Sequence, residues 1–133
     1  MSKREPVEFG ALKCVSEDSR RSIHEFTFKG FGGAAFQDFF IRDASTPLGN
    51  HFHRLKEEIF YFLEGGGTIR TALVDENGKI VNEVQQFEVK KGDVIRIMPN
   101  HAHRFDLRPR THFVAYSSRP FDPNDMIPCL IET

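Results

Sequence analysis

His51-Phe52-His53-Arg54-Leu55-Lys56-Glu57-Glu58, running on to Gly65-Gly66-Gly67, is the stretch around which the chain is organised. Side chains alternate between the two faces of a β-strand, so residues two apart share a face. His51 and His53 can therefore aim at one point. A short turn returns the chain, and Glu58 can reach the same point from the next strand, whose sequence is Glu-Ile-Phe-Tyr-Phe-Leu over residues 58–63. Imidazole nitrogens and a carboxylate oxygen gathered in this way suit a transition metal. A fourth donor is available at His103.

Each of these residues has a neighbour that competes for its role. Glu57 adjoins Glu58, but the spacing to Gly65 favours Glu58, and alternation then points Glu57 to the opposite face. His101 lies two residues from His103 and can share its face, either as a ligand or as a group that orients one. Phe60 and Phe62 share the face of Glu58 and form either an apolar wall beside the site or plain core. Ile59, Tyr61 and Leu63 then point outward.

Away from this stretch the chain reads as strand and turn. Residues 1–6 look like a frayed tail. Alternating apolar residues predict strands over 7–15, 23–29, 34–42, 68–74, 80–89, 94–98, 103–107 and 112–118. Residues 43–50 read as a loop, Gly65-Gly66-Gly67 as a tight turn, and Asn77-Gly78 as the best hairpin signal. After residue 119 the prolines suggest a turn or a short helix. About ten short strands at regular spacing, with almost no helical period, predict an all-β sandwich or small barrel.

Composition narrows the function. A chain of 133 residues reads most simply as one domain, since domains commonly run to about 100–150 residues. The formal net charge of -1 comes without a basic run, which argues against nucleic acid or an anionic membrane surface as partner. Cys14 and Cys129 are too few for a disulfide framework. Met1-Ser2-Lys3-Arg4-Glu5-Pro6 has no apolar run behind it, which argues against a secretory signal. No stretch approaches the roughly 20 apolar residues of a membrane helix. The expected setting is the cytoplasm. Phenylalanine occurs 14 times and tryptophan is absent, which suggests an aromatic β core.

Two segments together resemble the motifs of the cupin family. The first is His51-x-His53, four residues, Glu58, six residues and Gly65. The second runs from Gly92-Asp93 through Pro99 to His103. The likeness spans roughly residues 47–107, and the strand pattern extends it to most of the chain. Asn100 stands where a glycine is usual, although Asn also tolerates a left-handed turn. Leu107 replaces a usual asparagine, and the glycine expected before the first histidine is displaced, with Gly49 nearby.

The resemblance implies a single-domain jelly-roll β-barrel (cupin, RmlC-like) over residues 1–133, with the barrel core at about 34–118. It implies one divalent transition metal (Fe, Mn, Ni, Co, Cu or Zn) held by His51, His53, Glu58 and His103. It also implies a homodimer, for which Ile59, Tyr61 and Leu63 supply an apolar outer face.

Such a metal site implies an enzyme, of oxygenase or isomerase type, acting on a small oxygenated molecule. The alternatives are a sugar or sugar-nucleotide epimerase or isomerase, and a non-catalytic small-molecule-binding barrel. The stretch from Ser118 to Asp125 is faintly similar to the ends of sugar-modifying cupins, although Asp122-Pro123-Asn124-Asp125 is also ordinary turn chemistry. Candidate pocket residues are Phe60, Phe62, Arg96, His101 and Tyr61, with Arg70, Gln37 and Tyr116 as weaker ones. Arg96 would favour an anionic substrate if its face looks inward. Ligating imidazoles must be neutral, so metal is expected to leave below about pH 5.5.

Overall fold

The computed structural model describes residues 7–30, 32–43 and 46–133. The expected frayed tail and parts of the turns at Phe31 and at Ala44-Ser45 lie outside the described residues. Among the described residues eleven strands run in chain order: β1 (Lys13–Glu17), β2 (Arg21–Phe26), β3 (Ala35–Ile41), β4 (Leu48–Phe52), β5 (Glu58–Glu64), β6 (Gly66–Leu73), β7 (Gln85–Lys90), β8 (Val94–Ile97), β9 (His101–Leu107), β10 (His112–Ser117) and β11 (Ile127–Pro128). One turn of 3₁₀-helix at Pro123–Asp125 precedes β11.

The strands form two sheets, ordered β1-β2-β3-β10-β5-β8 and β11-β4-β9-β6-β7, and every pairing within them is antiparallel. The sheets face each other as a jelly-roll sandwich. They do not close on one another through hydrogen bonds, so the expected barrel is an open one.

Phenylalanines fill the space between the sheets. Phe60, Phe62, Phe105 and Phe113 are buried with Ile41, Ile69, Val89, Ile97 and Leu107. Phe39 stacks on Phe113 at 4.6 Å, and Phe60 meets Phe105 edge-on at 5.1 Å. Each fully buried ring contributes about 2 kcal/mol by area alone. A smaller cluster of Phe52, Val74, Ala102 and Ile131 fixes the C-terminal segment to the second sheet.

Several strand boundaries differ from the expectation. Val7, Phe9 and Leu12 are exposed, and pairing begins only at Lys13 opposite Glu25, close to the end of β2. Residues 48–50 belong to β4 rather than to a loop. In place of the expected 80–89 strand, pairing with β6 runs over Gln85–Lys90, apart from one bridge between Val74 and Ile80. The Asp75 carboxylate accepts from the amides of Asn77 and Lys79, and the Asn82 side chain accepts from the amide of Leu73. Side chains thus take over bonds that a longer ladder would have made. Gly65 makes the turn between β5 and β6, while Gly66 and Gly67 are already in β6.

Candidate metal centre

The site begins where β4 meets β9. His51 stands directly opposite His103, next to a bulge between Gly49 and His51. Gly49 has φ 89°, and a Cβ there would lie 2.5 Å from the carbonyl oxygen of His103. Only glycine lets the two backbones approach this closely. His53 follows one residue after β4, and its carbonyl accepts from the amide of Asn100 at 2.8 Å. Asn100 has φ 64°, so it takes the left-handed turn expected of the usual glycine.

His51, His53 and His103 form one cluster, with a donor nitrogen from each lying within 4.8 Å of the others. Two of the rings are held in a defined tautomer. Nδ1 of His53 donates to the carbonyl of Asp125, and Nδ1 of His103 donates to the carbonyl of His101 at 3.1 Å. A carbonyl can only accept, so each Nδ1 carries the proton. In the neutral ring the lone pair is then on Nε2. The Asp125 carboxylate also accepts from the amides of Arg54 and Leu55 at 2.8 and 3.3 Å, which fixes the turn after His53. Asp125 was missed as a site residue, because nothing in a turn sequence says which carbonyl it will place under a ring.

Glu58 is buried at the start of β5, with Oε1 3.3 Å from Nε2 of His53. Its Oε2 lies 3.6 Å from Nζ of Lys56, itself only 6% exposed. Burial raises the Glu58 pKa, but a proton on His53 Nε2 that bonds the carboxylate, and the Lys56 ammonium, outweigh it and bring the carboxyl down to about 2. Burial and the neighbouring His103 and His53 lower His51 to about 3. Burial likewise lowers His103, against the raising effect of Glu58.

These contacts test whether a metal fits. A neutral His53 would set a lone pair against a carboxylate oxygen, so the gap between them calls for a positive charge, supplied either by a second proton on the ring or by a metal ion. Two donors bound about 2.1 Å from one ion lie about 3.0 Å apart at a right angle and about 3.4 Å apart at the tetrahedral angle. The 3.3 Å spacing falls within that range. The donors that converge on one point are the imidazoles of His51, His53 and His103, with Glu58 standing against His53 alone, and imidazole nitrogens suit a divalent transition metal.

The donors open into a cavity of about 370 Å³ between the sheets, within the size range of small-molecule sites. Phe39, Phe60, Phe105 and Phe113 wall it, and Phe121 and Met126 reach it from the C-terminal segment.

The other candidates fall on both sides of this boundary. Phe60 lines the cavity, whereas Phe62 is fully buried core. Gln37 lines it and donates to Glu25 at 2.7 Å. His101 is on the face of His103, but its Nδ1 lies 3.0 Å from the carbonyl of Pro99 and its ring does not line the cavity. Arg96 corrects the inward alternative. Alternation along β8 puts Ile97 in the core and Arg96 outside, 58% exposed and paired with Glu57 at 2.7 Å. Glu57 is therefore on the outer face, as alternation requires. Tyr61 and Tyr116 also point outward, and Arg70 pairs with Asp106 at 2.9 Å away from the cavity.

Comparison with solved structures now settles the architecture. The capsular polysaccharide assembling protein CapF from Staphylococcus aureus superposes over 96% of this chain, with TM-score 0.67 and 22% identity. A point mutant of Bacillus subtilis oxalate decarboxylase OxdC superposes over 90%, with TM-score 0.64 and 16% identity. Both neighbours are cupin-fold proteins. The chain has the cupin fold.

The chain covers only 33% of that CapF chain and 30% of the decarboxylase chain. No protein-family model matches it. It is 31% identical over 91 residues to the uncharacterised protein MJ1618 of Methanocaldococcus jannaschii, a match covering 65% of this chain and 59% of that protein. Among the described residues no helix is long and apolar enough to cross a membrane.

Proposed function

We propose that this cupin is a metal-dependent enzyme acting on a small oxygenated molecule in the cavity between its sheets. The reading rests chiefly on the convergence of one nitrogen each from His51, His53 and His103, with Glu58 Oε1 3.3 Å from His53 Nε2. His51, His53, Glu58 and His103 would hold one divalent transition metal. Such an ion, when bound, supplies Lewis acidity toward a substrate oxygen or a place for dioxygen. The chain's own part is positional. Asp125 and His101 fix the tautomers of His53 and His103, Lys56 keeps Glu58 ionised, and the phenylalanine wall limits water around the substrate.

Elemental mass spectrometry of untagged protein, beside a His51→Ala, His53→Ala double variant, is the first test. About one equivalent of metal in the parent and little in the variant is expected. A parent that stays empty after incubation with each candidate metal would overturn the reading. An assay of oxygen consumption then separates oxygenase from isomerase chemistry.

A second reading, a sugar or sugar-nucleotide epimerase or isomerase, has its own support. The neighbour CapF is a capsular polysaccharide assembling protein, and Phe121 and Met126 bring the segment after β10 to the cavity. Turnover of sugar nucleotides without oxygen, unchanged by chelation, would favour it. A barrel that binds but never turns over substrate would be the non-catalytic alternative.

We read residues 1–133 as one domain that forms a cytoplasmic homodimer. Ile59 and Tyr61 on the outer face of β5 are 38% and 44% exposed, and light scattering of Tyr61→Lys beside the parent tests that face. A monomeric parent would remove the dimer.

A further inference from the structure

The cavity has a second polar region apart from the histidine cluster. Ser16 of β1, Arg20 of the connecting turn and Arg21 of β2 line it. Glu58 is on β5, and two strands, β3 and β10, lie between β2 and β5 in the same sheet. His51 and His103 are on the opposing sheet. Phe39 and Phe113 lie on the two intervening strands, so an apolar wall separates the cationic end from the metal-ligand end.

The two arginines differ in how far they are already engaged. Arg20 places Nε and Nη2 on Asp18 at 3.3 and 2.9 Å, and Nη1 on Thr46 at 3.2 Å. Its fork is taken. Arg21 places only Nη1, 3.2 Å from Ser16 Oγ, with Asp18 at a longer 3.6 Å. Its Nε and Nη2 have no hydrogen-bond acceptor among the described residues. A guanidinium stays charged even where burial disfavours it, and its planar fork matches carboxylate or phosphate oxygens. Lys56, the other cation on the cavity, is committed to Glu58.

We infer that Arg21, with Ser16, is the anion-recognition residue of this cavity, so that the substrate carries a carboxylate or phosphate at the end opposite its metal-facing oxygens. This deepens the proposed function and rests on its reading of the cavity as a substrate site. A ligand of this class is held at two points, by an oxyanion in the fork of Arg21 and by oxygen at the histidine cluster. Its middle lies against phenylalanine. Arg21 therefore sets specificity by charge, since an uncharged analogue would leave the fork unsatisfied.

The test uses chelator-treated protein, so that anion binding is measured without metal. Benzoate and inorganic phosphate are titrated by calorimetry, while the Nε–H resonance of Arg21 is followed by NMR and assigned from its loss in Arg21→Lys. Saturable movement of that resonance is expected with at least one probe, and the tighter probe separates carboxylate from phosphate. Arg21→Ala should weaken binding at least tenfold and Arg21→Lys less, while Lys91→Ala, an exposed partner of Glu64, leaves it unchanged. Binding that moves Arg20 and not Arg21, equal binding by Arg21→Ala, or no movement with either probe would overturn the inference. The resonance of the parent decides the matter if Arg21→Ala fails to fold. Metal uptake is measured separately, so a parent that binds anion at Arg21 but never takes metal would remove the metal reading alone.

Discussion

The backbone carbonyl of Asp125 accepts a hydrogen bond from Nδ1 of His53 across a separation of 72 positions. The C-terminal segment thereby sets which nitrogen of His53 faces the cavity. The same residue's carboxylate holds the amides of Arg54 and Leu55, so one residue orients the ring and fixes the turn that carries it.

Asp125→Ala keeps the carbonyl but removes the anchor of that turn. Stability should fall by about 2 kcal/mol, the cost of leaving charged hydrogen bonds unmade at a buried residue. Metal affinity should fall about tenfold, as is usual when a group supporting a ligand is lost. Urea unfolding and a metal titration read the two effects, and unaltered metal affinity would show that the turn holds His53 without Asp125.

Gly49→Ala tests the approach of β4 to β9. The added Cβ would meet the carbonyl of His103 at a φ of 89°, a conformation that costs most side chains energy. The strands must part at the position that sets His51 against His103. A loss of about 3 kcal/mol in stability should accompany a loss of metal greater than that caused by an exposed substitution such as Leu55→Ala. Normal metal content in Gly49→Ala would mean that the cluster tolerates the separation.

Lys56→Ala removes the buried partner of Glu58 and leaves the carboxylate uncompensated when metal is absent. Breaking a buried pair from one side costs about 3–5 kcal/mol, so the apo protein should melt much lower. Bound metal would supply the missing positive charge, and the loaded variant should recover most of the difference. Equal losses with and without metal would place the role of Lys56 elsewhere.

Acid should destabilise the metal-free protein in two stages. His51 is lowered from 6.5 to about 3 in the folded chain, so below the ordinary value the unfolded chain binds the proton that the folded chain refuses. Stability therefore falls as pH drops through 6.5 toward 3. Glu58 is lowered from 4.5 to about 2, and its contribution is lost as pH drops from 4.5 toward 2. Urea midpoints of apo protein should decline from about neutral pH and more steeply below 4.5, whereas His51→Asn should flatten the first stage. The lowered His51 and His103 also move metal release below the pH of about 5.5 expected from ordinary histidines.

Much of this was legible in the chain because strand chemistry is local. Period-two alternation placed Glu58, Phe60 and Phe62 inward and Glu57 and Tyr61 outward, since successive side chains on a strand must take opposite faces. The spacing of His51, His53, Glu58 and His103 carried the likeness to the cupin family, and three of these form the cluster while the fourth stands against His53. Asn100 was readable as a left-handed turn for the same local reason.

What sequence alone left open was every relation set between segments. Alternation could not say which face of β8 is the core, and pairing with β5 turned Arg96 outward. No local pattern brings the Asp125 carbonyl under His53, Lys56 against Glu58, or Arg21 into the same cavity as the histidines. Those contacts join residues far apart in the chain or across turns, and only the packing of two sheets and the closing C-terminal segment decides them. The chain by itself determined the strand faces on which the candidate donors stand; the tertiary structure decided their partners, their tautomers and the shape of the space they share.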